Sequence, residues 1–246
     1  MSSLEECRQY KTINKAKTMS DDNIIRFEPR KPTDMKPPKH PPMFNIPPVT
    51  KILTGILIAI HLVIFILTNT FEPQALDIAA YFGGFIPAHW SGTEPFYWWT
   101  PLTIISFSFL HAGWMHLAFN TLMLVAMGSG LEKSIGIKKY LMIYVGTTLF
   151  AAFAHLALYP ASTMPIIGAS GGISGIFGAM IVMMNQTGAS SIDKSRLMPA
   201  IIAYIGITVL MGLMGAPDGS SVAWIAHLGG FLAGVGFMMT ILKRQK

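Results

Sequence analysis

The stretch VTKILTGILIAIHLVIFILT, residues 49–68, decides the fold of this chain. Its only charge is Lys51, near its beginning, and a helix of about 20 residues crosses a hydrocarbon core of about 30 Å. Backbone groups inside lipid must find their hydrogen-bond partners within the protein, so a helix is the expected structure. The stretch begins too late and is too long for a signal peptide. It therefore predicts a first membrane-spanning helix.

Five further apolar runs follow along the chain. They cover residues 103–128, 140–159, 166–185, 198–215 and 221–242. The composition agrees, because 52% of the residues are hydrophobic and only 12% are charged, about half the charge of a typical soluble domain. We therefore predict an all-α membrane protein, in which six transmembrane helices over residues 49–242 form a bundle in the lipid bilayer.

The segments outside the predicted bundle are polar. Residues 1–48 are basic and end in a proline-dense stretch, which predicts a largely disordered tail, and residues 243–246 form a short basic C-terminus. Residues 69–99, after the first run, contain several glycines and a group of aromatic residues. This composition is typical of a loop that lies partly in the headgroup zone.

The distribution of basic residues predicts the orientation. Ten of the 18 Lys and Arg precede or open the first run, and the others follow the second, fourth and sixth runs. The connections after the first, third and fifth runs lie on the opposite side, and their only charged residues are the acidic Glu72, Asp77, Glu94 and Asp218. By the positive-inside rule, both termini are expected in the cytosol. The net charge of +6 thus reflects membrane topology, and no nucleic-acid partner is expected.

Polar side chains inside apolar runs are costly, so each is a candidate for function. No Asp or Glu lies deep in a run, since Glu132 falls at the cytosolic end of the second. This disfavours a cation pathway and a metalloprotease with a glutamate base, and no metal or cofactor is expected. Ser170 lies near the start of the fourth run, at or near a helix N-terminus, where unpaired N–H groups favour negative charge. His227 lies about six residues into the sixth run, at a similar depth.

Small residues at four-residue spacing accompany this serine and histidine. Gly171 and Gly175 lie on the fourth run, and Ala226, Gly230 and Gly234 lie on the sixth. Such faces let two helices approach closely. Close approach is required for a Ser–His hydrogen bond of about 2.6–3.2 Å.

The second run contains two polar residues on one face. His116 and Asn120 are four residues apart, so their side chains can be directed at one point. His111, five residues before His116, is rotated off that face. Structural interpretations exist for all of these residues, because a membrane serine often bonds its own backbone and polar side chains can join helices. Ser174 lies in a second Gly-x-Ser-Gly pattern, one turn deeper than Ser170.

Three motifs resemble the signatures of the rhomboid family of intramembrane serine proteases, in order, on the second, fourth and sixth runs. They are His111-x4-His116-x3-Asn120, Gly168-Ala169-Ser170-Gly171 and Ala226-His227-Leu228-Gly229-Gly230. The resemblance covers about residues 49–242 and implies a six-helix rhomboid-like fold. It implies that Ser170 is the nucleophile and His227 the general base.

The same resemblance assigns supporting roles. His116 and Asn120 would join the backbone N–H of Ser170 as oxyanion donors, and His111 would mainly brace the first loop. Structural support of the site is expected from the remaining motif residues and their neighbour, Gly168, Gly171 and Ser174. The sequence departs from many members at two places, since Trp98-Trp99-Thr100 has no Arg and Ser174 stands where a Tyr is common.

The implied function is that of a serine endopeptidase that cleaves transmembrane segments of client membrane proteins near the outer leaflet. The compact six-helix core favours a bacterial inner membrane. Two alternatives remain open. One is a rhomboid-like pseudoprotease that binds membrane clients without cleavage. The other is a small transporter or channel, which the missing buried carboxylates and the lack of an evident inverted repeat disfavour.

Overall fold

A computed structural model describes residues 45–187, 191–214 and 223–244. Within these ranges the chain forms α1 (Pro48–Thr70), α2 (Ala75–Gly83), α3 (Pro87–Ser91), α4 (Thr100–Ser106), α5 (Trp114–Met123), α6 (Ser129–Ile135), α7 (Ile137–Leu158), α8 (Ser170–Met184), α9 (Lys194–Met214) and α10 (Trp224–Lys243). The two-residue strands β1 (Gln186–Thr187) and β2 (Ser191–Ile192) pair in antiparallel fashion between α8 and α9. The predicted tail lies outside the described residues as far as residue 44, and so do residues 245–246.

Within the described ranges, four helical segments are long and apolar enough to cross a membrane. They are Pro48–Thr70, Trp114–Ile135, Ile137–Leu158 and Trp224–Lys243. The predicted fourth and fifth positions are filled by the shorter apolar helices Ser170–Met184 and Leu197–Leu210. The prediction of an all-α membrane bundle is confirmed, and the chain is an integral membrane protein.

Residues 103–128 do not form one helix, contrary to the prediction. α4 continues as a 3-10 turn to Phe109, residues 110–113 leave the helical conformation, and the spanning helix runs from Trp114 to Ile135. Within it, a π-helical turn at Leu124–Gly128 joins α5 to α6. The break is invisible to hydropathy because the residues before and after it are apolar.

The predicted interfacial loop contains the short helices α2 and α3, which the sequence analysis did not predict. Its aromatic residues form a cluster, in which the rings of Tyr97 and Trp99 stack at 4.4 Å with 4° between their planes. Trp98 points outward and is 83% exposed. The location of this loop in the headgroup zone stays a prediction.

A carboxylate from α6 caps the N-terminus of α1. Glu132 is 3% exposed and accepts hydrogen bonds from the backbone N–H groups of Val49 at 3.0 Å and Thr50 at 2.8 Å. It also accepts a bond from the Thr50 hydroxyl at 2.8 Å, and this hydroxyl lies 3.2 Å from that of Tyr140 on α7. The first N–H groups of a helix lack intrahelical partners and carry its positive dipole end, so a carboxylate there is stabilising.

The helices α7, α8 and α10 pack closely through small residues. A Cβ atom on Gly230 of α10 would collide with the carbonyl oxygen of Gly171 on α8, and one on Gly234 would collide with that of Gly175. A Cβ on Gly171 would lie 2.5 Å from the Cβ of Ala151 on α7. The close packing predicted between the fourth and sixth helices is confirmed.

Candidate active site

Backbone hydrogen bonds fix the segment that leads into α8. Ile166 and Phe85 exchange two bonds of 2.9 and 3.0 Å, and the N–H of Gly168 donates to the carbonyl of Phe107 at 2.8 Å. Gly168 has a φ of +125°, a conformation that residues with a Cβ rarely adopt. It turns the chain so that α8 begins at Ser170, as predicted for a residue at a helix N-terminus.

α8 begins inside the bundle. Its 15 residues rise about 22 Å, less than a hydrocarbon core of about 30 Å. Gly171 in its first turn packs against Ala151 of α7, seven residues before the end of that helix at Leu158, or about 10 Å along the axis. The start of α8 therefore lies deeper in the bundle than the end of α7.

Ser170 and His227 face each other across the contact between α8 and α10. The Nε2 atom of His227 lies 2.7 Å from the Oγ atom of Ser170, which is hydrogen-bond distance. Both residues are partly exposed, whereas Ser174 is buried. His227 is the fourth residue of α10, because this helix begins at Trp224, later than predicted. In such a pair, the imidazole can take the proton of a serine nucleophile.

His116 approaches the same place from α5. A Cβ atom built on Gly168 would lie 2.8 Å from the Nε2 of His116 and 3.6 Å from the Oγ of Ser170, so both polar atoms border one small space. The Nδ1 of His116 accepts a hydrogen bond of 3.4 Å from the N–H of Ala112. A neutral imidazole that accepts at Nδ1 carries its hydrogen on Nε2. His116 can therefore donate a hydrogen bond beside Ser170.

Asn120 and His111 lie around His116. Asn120 is buried one turn after it, and its amide donates to the carbonyl of His116 at 2.9 Å, so the two residues share a face as predicted. The Asn120 amide has a second hydrogen for another acceptor. His111 is fully buried and precedes α5, with its ring 5.1 Å from that of His116 and 6.5 Å from that of His61 on α1. Its role as a brace of the first loop stays a prediction.

Tyr204 of α9 is a residue near the site that sequence reasoning missed. Its hydroxyl donates a hydrogen bond of 2.6 Å to the Oγ of Ser174. The sequence offered only a tyrosine inside the fifth apolar run, with no indication of the direction in which it points. Across the part of the chain that the structure describes, no group of three or more His, Cys, Asp or Glu side chains is arranged to hold a metal ion.

Comparisons with known proteins identify the family of this chain. A family model described as the rhomboid domain matches residues 95–244, more than half of the chain. The chain is 32% identical over 159 residues to the rhomboid protease AarA of Providencia stuartii, and the match covers 56% of this chain and 53% of AarA. It is 30% identical over 137 residues to the rhomboid protease GluP of Bacillus subtilis (strain 168), and the match covers 56% of this chain and 25% of GluP. The chain belongs to the rhomboid family.

Proposed function

We propose that this chain is a rhomboid-type serine endopeptidase, which cleaves transmembrane segments of client membrane proteins with Ser170 and His227. The observation that carries the proposal is the 2.7 Å hydrogen bond between these two side chains within a bundle of membrane helices. Membership of the rhomboid family supports the reaction, since the relatives AarA and GluP are named as rhomboid proteases.

His227 acts first as a base and then as an acid. Its Nε2 accepts the hydroxyl proton of Ser170 while the Oγ attacks the scissile carbonyl carbon. The tetrahedral intermediate then expels the amine of the new N-terminus, which takes the proton from the imidazolium, and an ester on Ser170 remains. Water then gives a proton to His227 and attacks the ester carbonyl. When the ester C–O bond breaks, the imidazolium returns this proton to the Oγ, which restores the Ser170 hydroxyl and releases the new carboxyl terminus.

Hydrogen-bond donors around Ser170 stabilise the negative oxygen of the intermediate. The N–H of Ser170 lies in the first turn of α8, where backbone donors have no partner within the helix and the dipole favours an anion. The Nε2–H of His116 borders the same space, and the second amide hydrogen of Asn120 is a further donor from the same helical face. Fixed donors at a developing oxyanion each contribute about 10²–10³ in rate.

The position of the dyad fits a substrate that lies in the membrane. The start of α8 lies about 10 Å deeper in the bundle than the end of α7, and both dyad residues are partly exposed. Water and a peptide bond would therefore approach the dyad from this side of the bundle. Because the basic residues predict cytosolic termini, cleavage takes place toward the non-cytosolic side. We assign the protein to a bacterial cell membrane, in line with its compact six-helix core.

Cleavage of a transmembrane substrate tests the proposal. The purified protein is reconstituted in liposomes with a fluorescent transmembrane peptide, and Ser170→Ala and His227→Ala are compared with the parent. We expect losses on the order of 10⁴–10⁶ in turnover. Ser129→Ala is the matched control, because the Ser129 hydroxyl is buried without a hydrogen-bond partner, and it should retain parental turnover. A parent protein that binds the peptide but never cleaves it is a pseudoprotease and contradicts the proposal.

A further inference from the structure

Tyr204 contacts both helices of the dyad, one turn beneath it. Its hydroxyl donates a hydrogen bond of 2.6 Å to Ser174. Its ring stacks on that of Phe231, with centroids 4.1 Å apart and 19° between the planes. Ser174 is the fourth residue after Ser170 on α8, and Phe231 is the fourth after His227 on α10. Residues four apart share a helical face, about one turn or 6 Å apart along the axis.

We propose that Tyr204 is a positioning residue for the reaction. It joins the residue beneath the nucleophile to the residue beneath the base, and so holds Ser170 and His227 at hydrogen-bonding distance. This inference rests on the proposed function of the dyad. Tyr204 acts through the two helices, since it contacts Ser174 and Phe177 on α8 and Phe231 on α10.

The contact between α8 and α10 explains why a third helix is needed. At the level of the dyad the two helices meet through glycines, with the backbone of Gly171 against Gly230 and that of Gly175 against Gly234. Glycine faces allow close approach and contribute no side chains of their own to the contact. A slide of about 1 Å would lengthen the Ser–His hydrogen bond beyond its useful range of about 2.6–3.2 Å.

The surroundings of Tyr204 make it a stiff connection. Its ring lies 5.2 Å from that of Phe177 on α8, which in turn lies 6.1 Å from that of Phe231. The three rings therefore form one aromatic cluster across α8, α9 and α10, and the hydroxyl of Tyr204 fixes the cluster to Ser174. Aromatic pairs at such distances attract each other beyond what their buried area contributes.

Tyr204→Phe and Ser174→Ala test the inference, because each removes one partner of the same hydrogen bond and leaves the aromatic stack. The rate of Ser170 labelling by a fluorophosphonate reports the dyad geometry without a substrate helix. We expect each variant to lower this rate and kcat by about 5- to 20-fold, below the roughly 100-fold that a 1 Å misplacement can cost. KM should stay within about twofold. The double variant should lose no more than either single variant.

Tyr140→Phe is the matched control. It also removes a buried tyrosine hydroxyl, which lies 3.2 Å from that of Thr50, but it does so eleven residues before Ala151 on α7, or about 16 Å from the level of the dyad. We expect a lower thermal midpoint and an unchanged labelling rate for the folded protein. The contrast between the two Tyr→Phe variants separates positioning from general stability.

The outcomes separate a failure of the positioning role of Tyr204 from a failure of the proposed dyad. If Tyr204→Phe is less stable but its folded fraction is labelled at the parental rate, Tyr204 is only structural and the inference is overturned, while the proposed dyad stands. A rise in KM at unchanged kcat also overturns it. If Tyr204→Phe does not fold, Ser174→Ala gives the same comparison. If the parent protein is not labelled on Ser170 at all, the proposed function itself fails.

Discussion

Replacement of Glu132 by glutamine should destabilise the N-terminus of α1 and leave the turnover of the folded protein nearly unchanged. The carboxylate is buried and accepts three hydrogen bonds of 2.8–3.0 Å, from the N–H of Val49 and from the N–H and hydroxyl of Thr50. A glutamine side chain has one oxygen. If this oxygen serves Thr50, the amide NH2 group faces the N–H of Val49, and two donors meet in a buried place. Glu132→Gln therefore loses an accepted bond, leaves a donor unsatisfied and removes the charge at the helix start.

The size of the effect follows from these contacts. A hydrogen bond to a charged group contributes about 1.5–3 kcal/mol, and a buried unsatisfied donor costs about 1–3 kcal/mol. Because the two effects describe the same lost contact, they do not add, and we expect about 2–3 kcal/mol less unfolding free energy. Glu132 is sixteen residues from His116 along the second span, or about 24 Å. Turnover per folded molecule should therefore stay within about twofold.

The measurement is the free energy of unfolding in detergent micelles, together with turnover normalised to folded protein. Glu94→Gln is the control, because it neutralises a glutamate that is exposed in the first loop and should change the unfolding free energy by less than about 0.5 kcal/mol. If Glu132→Gln is as stable as the control, the stabilising role of the Glu132 carboxylate at the N-terminus of α1 is refuted. A large loss of turnover in folded Glu132→Gln would show instead that the two ends of the bundle are coupled.

Three further predictions concern the site. Asn120→Ala should reduce kcat in liposomes by about 10²–10³, as for one oxyanion donor, and parental kcat would remove Asn120 from the site. Gly168→Ala should abolish most fluorophosphonate labelling, because its Cβ would meet His116 at 2.8 Å in a conformation with φ of +125°; normal labelling would mean that this turn is not required. Sequencing of product termini should place the cut on the non-cytosolic side of the client's span, and cytosolic cuts would contradict the orientation.

The membrane fold could be predicted from the sequence because lipid leaves a chain few choices. Long apolar runs must be helical, and their number and order follow from hydropathy. The break at residues 110–113 could not be predicted, since Leu110 and Ala112 within it are apolar and Trp114 continues the apolar pattern after it. The π-helical turn at Leu124–Gly128 could not be predicted either. Its extra residue rotates the rest of the helix by about 100°.

The pairing of Ser170 with His227 could be predicted from the sequence for a different reason. Glycines at four-residue spacing mark the faces on which two helices meet, so the serine and histidine next to those faces are brought close together. The Tyr204 contact could not be predicted, because it depends on the rotation of α9 about its axis. This helix has no glycines at four-residue spacing that would mark the face directed at its neighbours. The hydrogen on the Nε2 of His116 depends on a backbone N–H of the turn before α5, which hydropathy does not reveal.

The most direct test of the central claim is to map the site of a fluorophosphonate adduct by mass spectrometry of the full-length protein in detergent. The account predicts an adduct on Ser170, none in Ser170→Ala, and labelling of His227→Ala slowed by several orders of magnitude, because the base that takes the serine proton is gone. An adduct on Ser174, or labelling of His227→Ala at the parental rate, would contradict the Ser170–His227 dyad.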